Sequence, residues 1–241
     1  MSVNCHLYLC GSDNYGVLVR DDATGAVALI DVPDEMATRE AIAQTDWTPT
    51  HIFLTHHHSD HVDGVGGIRS SYDVKVVGNE ADSARLPRLT HPVNPGASVM
   101  LGQTRFEVID TPGHTVGHIA YIARDEKLAF VGDTLFALGC GRMFEGTPQQ
   151  FHASLQALAK LDPDTKIYCG HEYTQTNAQF ALAMDPNSSA LADHTRQIDG
   201  LRASGMPTIP TTLEKELAFN PFLKADSVDA FAKLRAAKDS F

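Results

Sequence analysis

The chain has 241 residues, 43% of them hydrophobic, and 30 acidic against 19 basic residues leave a formal net charge of −11. So negative a balance argues against an extended polyanion-binding face, because proteins that neutralise nucleic-acid phosphates carry a basic surface. Met1–His6 has no basic start followed by an apolar core, and no apolar run approaches the roughly 20 residues of a membrane span, so a soluble cytoplasmic protein is expected.

In chain order, Asn4–Leu9, Tyr15–Arg20 and Gly25–Asp31 are short β-prone runs separated by Gly, Asn and Asp turn clusters, which predicts hairpins or a meander. Asp34 is placed to cap a helix running to about Gln44, and Thr50–Leu54 reads as a buried strand. Further strands are predicted at Val74–Gly78, Thr104–Asp110, His118–Arg124 and Lys127–Gly132. Thr147-Pro148-Gln149-Gln150 carries an N-cap, a proline at the first helical position and a Gln three residues after the cap. Phe151, Leu155, Leu158 and Leu161 follow at helical spacing. Lys166–Gly170 is a last strand, after which alanine-rich, helix-forming sequence is broken at Asp185-Pro186, Gly205-Met-Pro207 and Asn220-Pro221. A mixed α/β body over 1–168 and a mostly helical tail over 169–241 are therefore expected. The four cysteines, far apart in a chain too long to need staples, read as free thiols.

The chemistry concentrates in Thr55-His-His-His-Ser-Asp-His61, four His and an Asp within six residues directly after a predicted strand. In an extended segment His56, His58 and Asp60 point the same way, and a bend lets Asp60 and His61 face one centre. Imidazole nitrogens and carboxylate oxygens suit zinc, iron or manganese. His114, Asp133 and His171 each sit in a loop just after a β-like run, where α/β scaffolds present functional side chains. Together these residues make five His and two Asp, enough for two ions with one carboxylate bridging them. His57 alternates out of phase and is expected to hydrogen-bond into the strand layer. His118, four residues after His114, is a candidate to orient a ligand from behind. The remaining His read as surface or packed residues.

With its H-x-H-x-D-H motif and later single His, Asp and His, the sequence resembles the metallo-β-lactamase superfamily. Gly132-Asp-Thr-Leu-Phe136, Gly139–Thr147, Gly170-His-Glu-Tyr-Thr174, Asn220-Pro-Phe222 and the terminal Arg235-x-x-Lys238-Asp239 make it more closely similar to the hydroxyacylglutathione hydrolase, or glyoxalase II, family. The resemblance implies an α/β fold, the metallo-β-lactamase αββα sandwich, followed by a small C-terminal α-helical domain that binds substrate. It implies two divalent metal ions, zinc before iron or manganese, one held by His56, His58 and His114 and the other by Asp60, His61 and His171, with Asp133 and a hydroxide bridging. Arg142, Phe144, Tyr173, Arg235 and Lys238 would line the glutathione site; Arg142 stands where some members have Lys, and Phe144 where some have Tyr. On composition alone the face carrying Arg235 and Lys238 is solvated, whereas the resemblance turns it into a grip for the glycine carboxylate of glutathione.

The implied activity is hydrolysis of S-(2-hydroxyacyl)glutathione thioesters, such as the D-lactoyl thioester, in methylglyoxal detoxification. A monomer acting on a small molecule is expected, with no nucleic-acid or membrane partner. Asp60, besides ligating metal, is placed to accept a hydrogen bond from the bridging hydroxide. No Ser-His-Asp or Cys-His arrangement competes, and Cys140 in its Gly-Cys-Gly loop reads as a small packed residue. The alternative within the superfamily is a glutathione persulfide dioxygenase with a single iron.

Overall fold

The computed structural model describes residues 3–241, which divide into two compact units. One runs to residue 110 and includes 117–132; the other comprises 111–116 and 133–241.

In the first unit, β1 (Val3–Cys10) and β2 (Asn14–Asp21) form an antiparallel hairpin joined to β3 (Val27–Ile30). Helix α1 (Glu35–Thr45) follows, started by Asp34, whose carboxylate accepts from the Ala37 amide. That bond satisfies an otherwise orphaned amide of the first turn. Then come β4 (His51–Phe53), the short helix α2 (Ser59–Val62), α3 (Val65–Ser71), β5 (Lys75–Asn79) and β6 (His91–Val93). The strands make one sheet in the order β1-β2-β3-β4-β5-β6, parallel from β3 onward. Parallel strands need crossovers and are covered on both faces, which explains the continuous apolar runs of β3 and β4. Ala41 and Ile42 of α1 and Val65 and Ile68 of α3 pack with Leu18, Leu29, Ile52 and Val76 on one face.

The other face meets a second, antiparallel set: β7 (Ser98–Leu101), β8 (Thr104–Asp110), β9 (Ile119–Ala123) and β10 (Leu128–Gly132), in the order β10-β9-β8-β7. Phe53 stacks on Tyr121 at 4.9 Å and meets Phe106 edge-on at 5.5 Å, so the sheets interdigitate through aromatic side chains. The buried Tyr121 hydroxyl is satisfied by the Leu54 carbonyl at 2.9 Å.

In the second unit, a two-stranded ribbon of β11 (Leu135–Phe136) and β12 (Gly139–Cys140) precedes α4 (Pro148–Leu158), which begins with the expected capping box between Thr147 and Gln150. Strand β13 (Lys166–Cys169), α5 (Thr174–Met184), α6 (Ser189–Ala203), β14 (Thr211–Thr212), α7 (Leu213–Phe219) and α8 (Val228–Asp239) complete the chain. The breaks expected in the tail fall between these helices. Phe151 of α4 and Phe222 both meet Phe231 of α8 edge-on, at 5.6 and 6.1 Å, giving this unit its own aromatic core. The compact units part at 110/111, 116/117 and 132/133, and residues 136–141 bond to side chains of the later helices of their own unit. The four cysteines are thiols outside any disulfide, as expected. No helix among the described residues is long and apolar enough to cross a membrane.

Candidate metal centre

The first unit presents its donors at the carboxyl ends of two neighbouring parallel strands, the ordinary place for a site in such a sheet. The register pairs Ile30 with Phe53, so Asp31 lies beside the turn that begins at Leu54. The chain stays extended as far as His58 and then turns into α2, so Asp60 and His61 are helical neighbours. The expected alternation holds for His56 and His58 but not for Asp60, which α2 carries. Asn14 Nδ2 donates to the Asp60 carbonyl at 2.9 Å and to its carboxylate at 3.1 Å.

Three of these imidazoles have fixed or matched nitrogens. His61 Nδ1 lies 2.8 Å from Asp31 Oδ2, both groups fully buried. Asp31 also accepts from the Thr55 amide and hydroxyl, each at 2.8 Å. Because the Thr55 hydroxyl proton goes to Asp31, its oxygen accepts from His56 Nδ1 at 3.0 Å. The Nε2 atoms of His56 and His61 are left as lone pairs. His56 Nε2 stands 3.2 Å from His58 Nδ1, a nitrogen-to-nitrogen approach that suits two ligands of one cation. His118 stacks on His56 at 4.9 Å, and His57 Nδ1 turns to Asp82 at 3.1 Å.

The second unit brings together His114, Asp133 and His171. Asp133 Oδ2 lies 3.3 Å from His114 Nε2 and 3.3 Å from His171 Nε2. His114 Nδ1 is 2.8 Å from the Arg142 carbonyl, which can only accept, so the proton is on Nδ1 and the Nε2 lone pair faces a carboxylate oxygen. Two acceptors so close repel unless a cation joins them. The donor set therefore fits divalent metal, and His56, His58, Asp60, His61, His114, Asp133 and His171 all offer ligand atoms.

Around this second set, Tyr173 lies flat on His171 at 4.7 Å, and Phe144 meets His114 edge-on at 5.2 Å with its side chain largely in solvent. Arg142 is exposed. Lys238 Nζ donates to the Thr176 carbonyl at 3.1 Å and sits 5.3 Å from the rings of both Phe180 and Phe241. Burial, and then the nearby Arg235 charge, pull its pKa down.

Arg235 is only 5% exposed and packs over Phe222 with the guanidinium carbon 5.2 Å from the ring centroid. Its Nη1 donates to the carbonyls of Cys140 at 3.0 Å and Gly141 at 3.3 Å, and its Nη2 pairs with Asp239 at 2.8 Å. Helical spacing puts Arg235 and Lys238 on adjacent positions, but the packing of Phe222 and Phe231 turns the first inward. Cys140 is buried with its thiol pushed up to about 12, first by burial and against the pull of Arg235, so it is no nucleophile at neutral pH. Asp31 and Thr55 are the participants that reading the sequence missed. The signal was an aspartate ending one parallel strand next to the strand that feeds the His loop.

Residues 12–171 match the model of the Metallo-beta-lactamase superfamily, and residues 172–241 that of the Hydroxyacylglutathione hydrolase C-terminus. Over its whole length the chain is 46% identical to the full length of a hydroxyacylglutathione hydrolase of Mesorhizobium japonicum. It is also 51% identical to one of Acidiphilium cryptum, covering 95% of this chain and 93% of that protein. Among solved structures, ETHE1 from Myxococcus xanthus superposes with a TM-score of 0.73 at 28% identity, covering 98% of this chain and 90% of that one. The sandwich with its helical C-terminal part is thus the metallo-β-lactamase fold.

Proposed function

Since the chain belongs to the hydroxyacylglutathione hydrolase family of the metallo-β-lactamase superfamily and is a thioester hydrolase, we propose that its seven His and Asp donors form one dinuclear centre for cleaving S-(2-hydroxyacyl)glutathione. His56, His58 and His114 hold one ion, Asp60, His61 and His171 the other, and Asp133 is shared. The observation that carries this reading is the Asp133 Oδ2 atom, equidistant at 3.3 Å from the Nε2 atoms of His114 and His171. One carboxylate oxygen between two imidazole lone pairs is the pattern of a bridging ligand.

When bound there, divalent ions supply a water acidic enough to attack at neutral pH and a Lewis acid for the thioester carbonyl. The chain's own residues do the rest. Asp60 accepts a hydrogen bond from the attacking oxygen and so orients it. Tyr173, stacked on His171, and the exposed Arg142 and half-buried Lys238 hold the glutathione moiety, whose carboxylates suit two cations. Phe144, beside His114, offers apolar contact without a hydroxyl. A thiolate leaves readily, its conjugate thiol having a pKa of about 8.5, so no strong acid is needed. This division of labour assigns catalysis to residues 1–168 and substrate binding to 169–241, with Arg142 and Phe144 reaching in from the catalytic part. Zinc is the preferred metal, with iron and manganese compatible with the same donors. A cytoplasmic monomer working on a small anion, with no nucleic-acid or membrane partner, completes the proposal.

Metal analysis of protein purified without added metal, paired with turnover of S-D-lactoylglutathione, tests it. About two metals per chain together with thioester hydrolysis are expected. A single iron with oxygen uptake on glutathione persulfide, and no thioesterase activity, would replace this reading with the dioxygenase.

A further inference from the structure

His171 and Tyr173 stand two residues apart just beyond β13, and their rings lie parallel, with centroids 4.7 Å apart and 5° between the planes. Phe136 meets both edge-on, at 5.9 and 5.5 Å. Where a chain continues extended from a strand, residues i and i+2 share a side and the one between points the other way. That residue is Glu172. Its side chain is only 4% exposed, and a carboxylate so buried needs its oxygens satisfied. Oε2 accepts from the Thr208 amide at 2.9 Å and lies 3.4 Å from Arg202 Nη1, while Oε1 accepts from the Thr208 hydroxyl at 2.7 Å. The Thr208 hydroxyl is in turn hydrogen-bonded to that of Thr174, the first residue of α5. Arg202, near the end of α6, also donates to the Met206 carbonyl at 2.8 Å, and Gln175 of α5 donates to Asp199 of α6 at 2.7 Å.

We propose that Glu172 is a positioning residue that sets His171 and Tyr173 together, so that retention of metal and affinity for the glutathione moiety depend on one buried clamp. This rests on the reading of His171 as a metal ligand and of Tyr173 as a substrate contact. Three observations carry it. Both carboxylate oxygens are engaged by two groups of one residue, with Arg202 alongside, which fixes the plane of the carboxylate as well as its position. The clamp comes from a distant part of the chain, Thr208 lying 36 residues beyond Glu172, so it holds the His171–Tyr173 segment from outside rather than as part of its own turn. The two rings flanking Glu172 are stacked and share Phe136 as a neighbour, so a rotation of the main chain at residue 172 displaces both at once. Helix α6 and the turn after it thus reach the metal ligand and the substrate contact through a single side chain that touches neither metal nor substrate.

The test compares E172M, E172Q and T208V as metal-loaded protein. Three quantities are read: metal retained during timed dialysis against a chelator, KM and kcat for S-D-lactoylglutathione with metal resupplied, and the melting temperature of the metal-free protein. E172M keeps the volume and removes both acceptors. It should release metal at least about tenfold faster, the effect typical of losing a group that orients a ligand. It should also raise KM by about 3- to 10-fold, the worth of one misplaced hydrogen bond, with kcat changed less. E172Q can still accept from the Thr208 amide and donate to the Thr208 hydroxyl, so it should recover most of both losses. T208V, which keeps the amide bond alone, should fall between E172M and the wild type on both. If E172M does not fold, T208V decides the matter on the same readouts. A lower melting temperature with wild-type metal retention and KM would overturn the inference and leave Glu172 a purely structural clamp. A change in metal retention without KM, or in KM without metal retention, would overturn it as well. Absence of thioester turnover in the wild type would overturn the proposed function instead, leaving the metal-retention comparison readable.

Discussion

Asp31 Oδ2 lies 2.8 Å from Nδ1 of His61, and Asp31 holds this position with a left-handed backbone, φ 53°. Asparagine tolerates that conformation, so Asp31→Asn keeps the fold. Its amide oxygen would stay on the Thr55 amide, turning an NH2 group toward His61 Nδ1. That forces the proton onto Nε2, where the lone pair is needed for metal. We expect about 10- to 100-fold weaker metal binding with little change in the melting temperature of the metal-free protein, measured by competition with a chromophoric chelator.

Asp133→Asn should remove the shared ligand oxygen while preserving side-chain shape. Loss of turnover on S-D-lactoylglutathione by more than about 100-fold is expected, beyond the cost of losing an orienting group alone. Metal content measured on the same sample would fall below the wild-type stoichiometry. A variant that retained both full metal and near-normal kcat would remove Asp133 from the centre.

Lys238→Ala should raise KM for the glutathione thioester by about 10-fold, the worth of one charge-assisted contact, and lower kcat much less. The effect should shrink as salt is added, because the half-buried ammonium is partly screened. Steady-state kinetics at two ionic strengths would check both statements.

Glu216 is fully buried and accepts from Leu138, Thr211 and Asn220. Burial pushes its carboxyl up to about 7, against the opposing pull of those hydrogen bonds. The folded state therefore holds a proton that the unfolded chain releases at about pH 4.3, and this group's contribution to stability is full below that pH and is lost as pH rises through about 7. Its size is on the order of 3 kcal/mol. Glu216→Gln, which can keep all three partners, should flatten the pH dependence of chemical denaturation between about pH 5 and 7.

Much of the architecture was legible because it rests on local rules. The Asp34 and Thr147 caps are one-dimensional signals, and both helices start where those residues stand. The ligand loop was legible because metal chemistry restricts residue type so strongly. What escaped depends on pairing between distant segments. Asp31 becomes a partner of His61 only once β3 and β4 lie side by side, and a terminal aspartate in a strand has no distinctive pattern alone. The ribbon of β11 and β12, two residues a side, is too short for alternation to register. The burial of Arg235 was not legible because helical periodicity says which residues are neighbours, not which of them the surrounding aromatic rings bury.

The loop from Phe136 to Gly141 is fastened at four points of the later sequence, Asn177, Glu216, Asn220 and Arg235, and the chain between those points is under no such obligation. Within the stretch from Asp185 to Pro210, Leu191 and Ile198 of α6 pack against Leu138 of the loop, so α6 itself has to stay in place. The turn ahead of its Ser188 cap is where length is adjustable: hinges, tags or whole inserted modules placed before Ser188 would leave α6, the four fasteners and the reacting centre they serve in register.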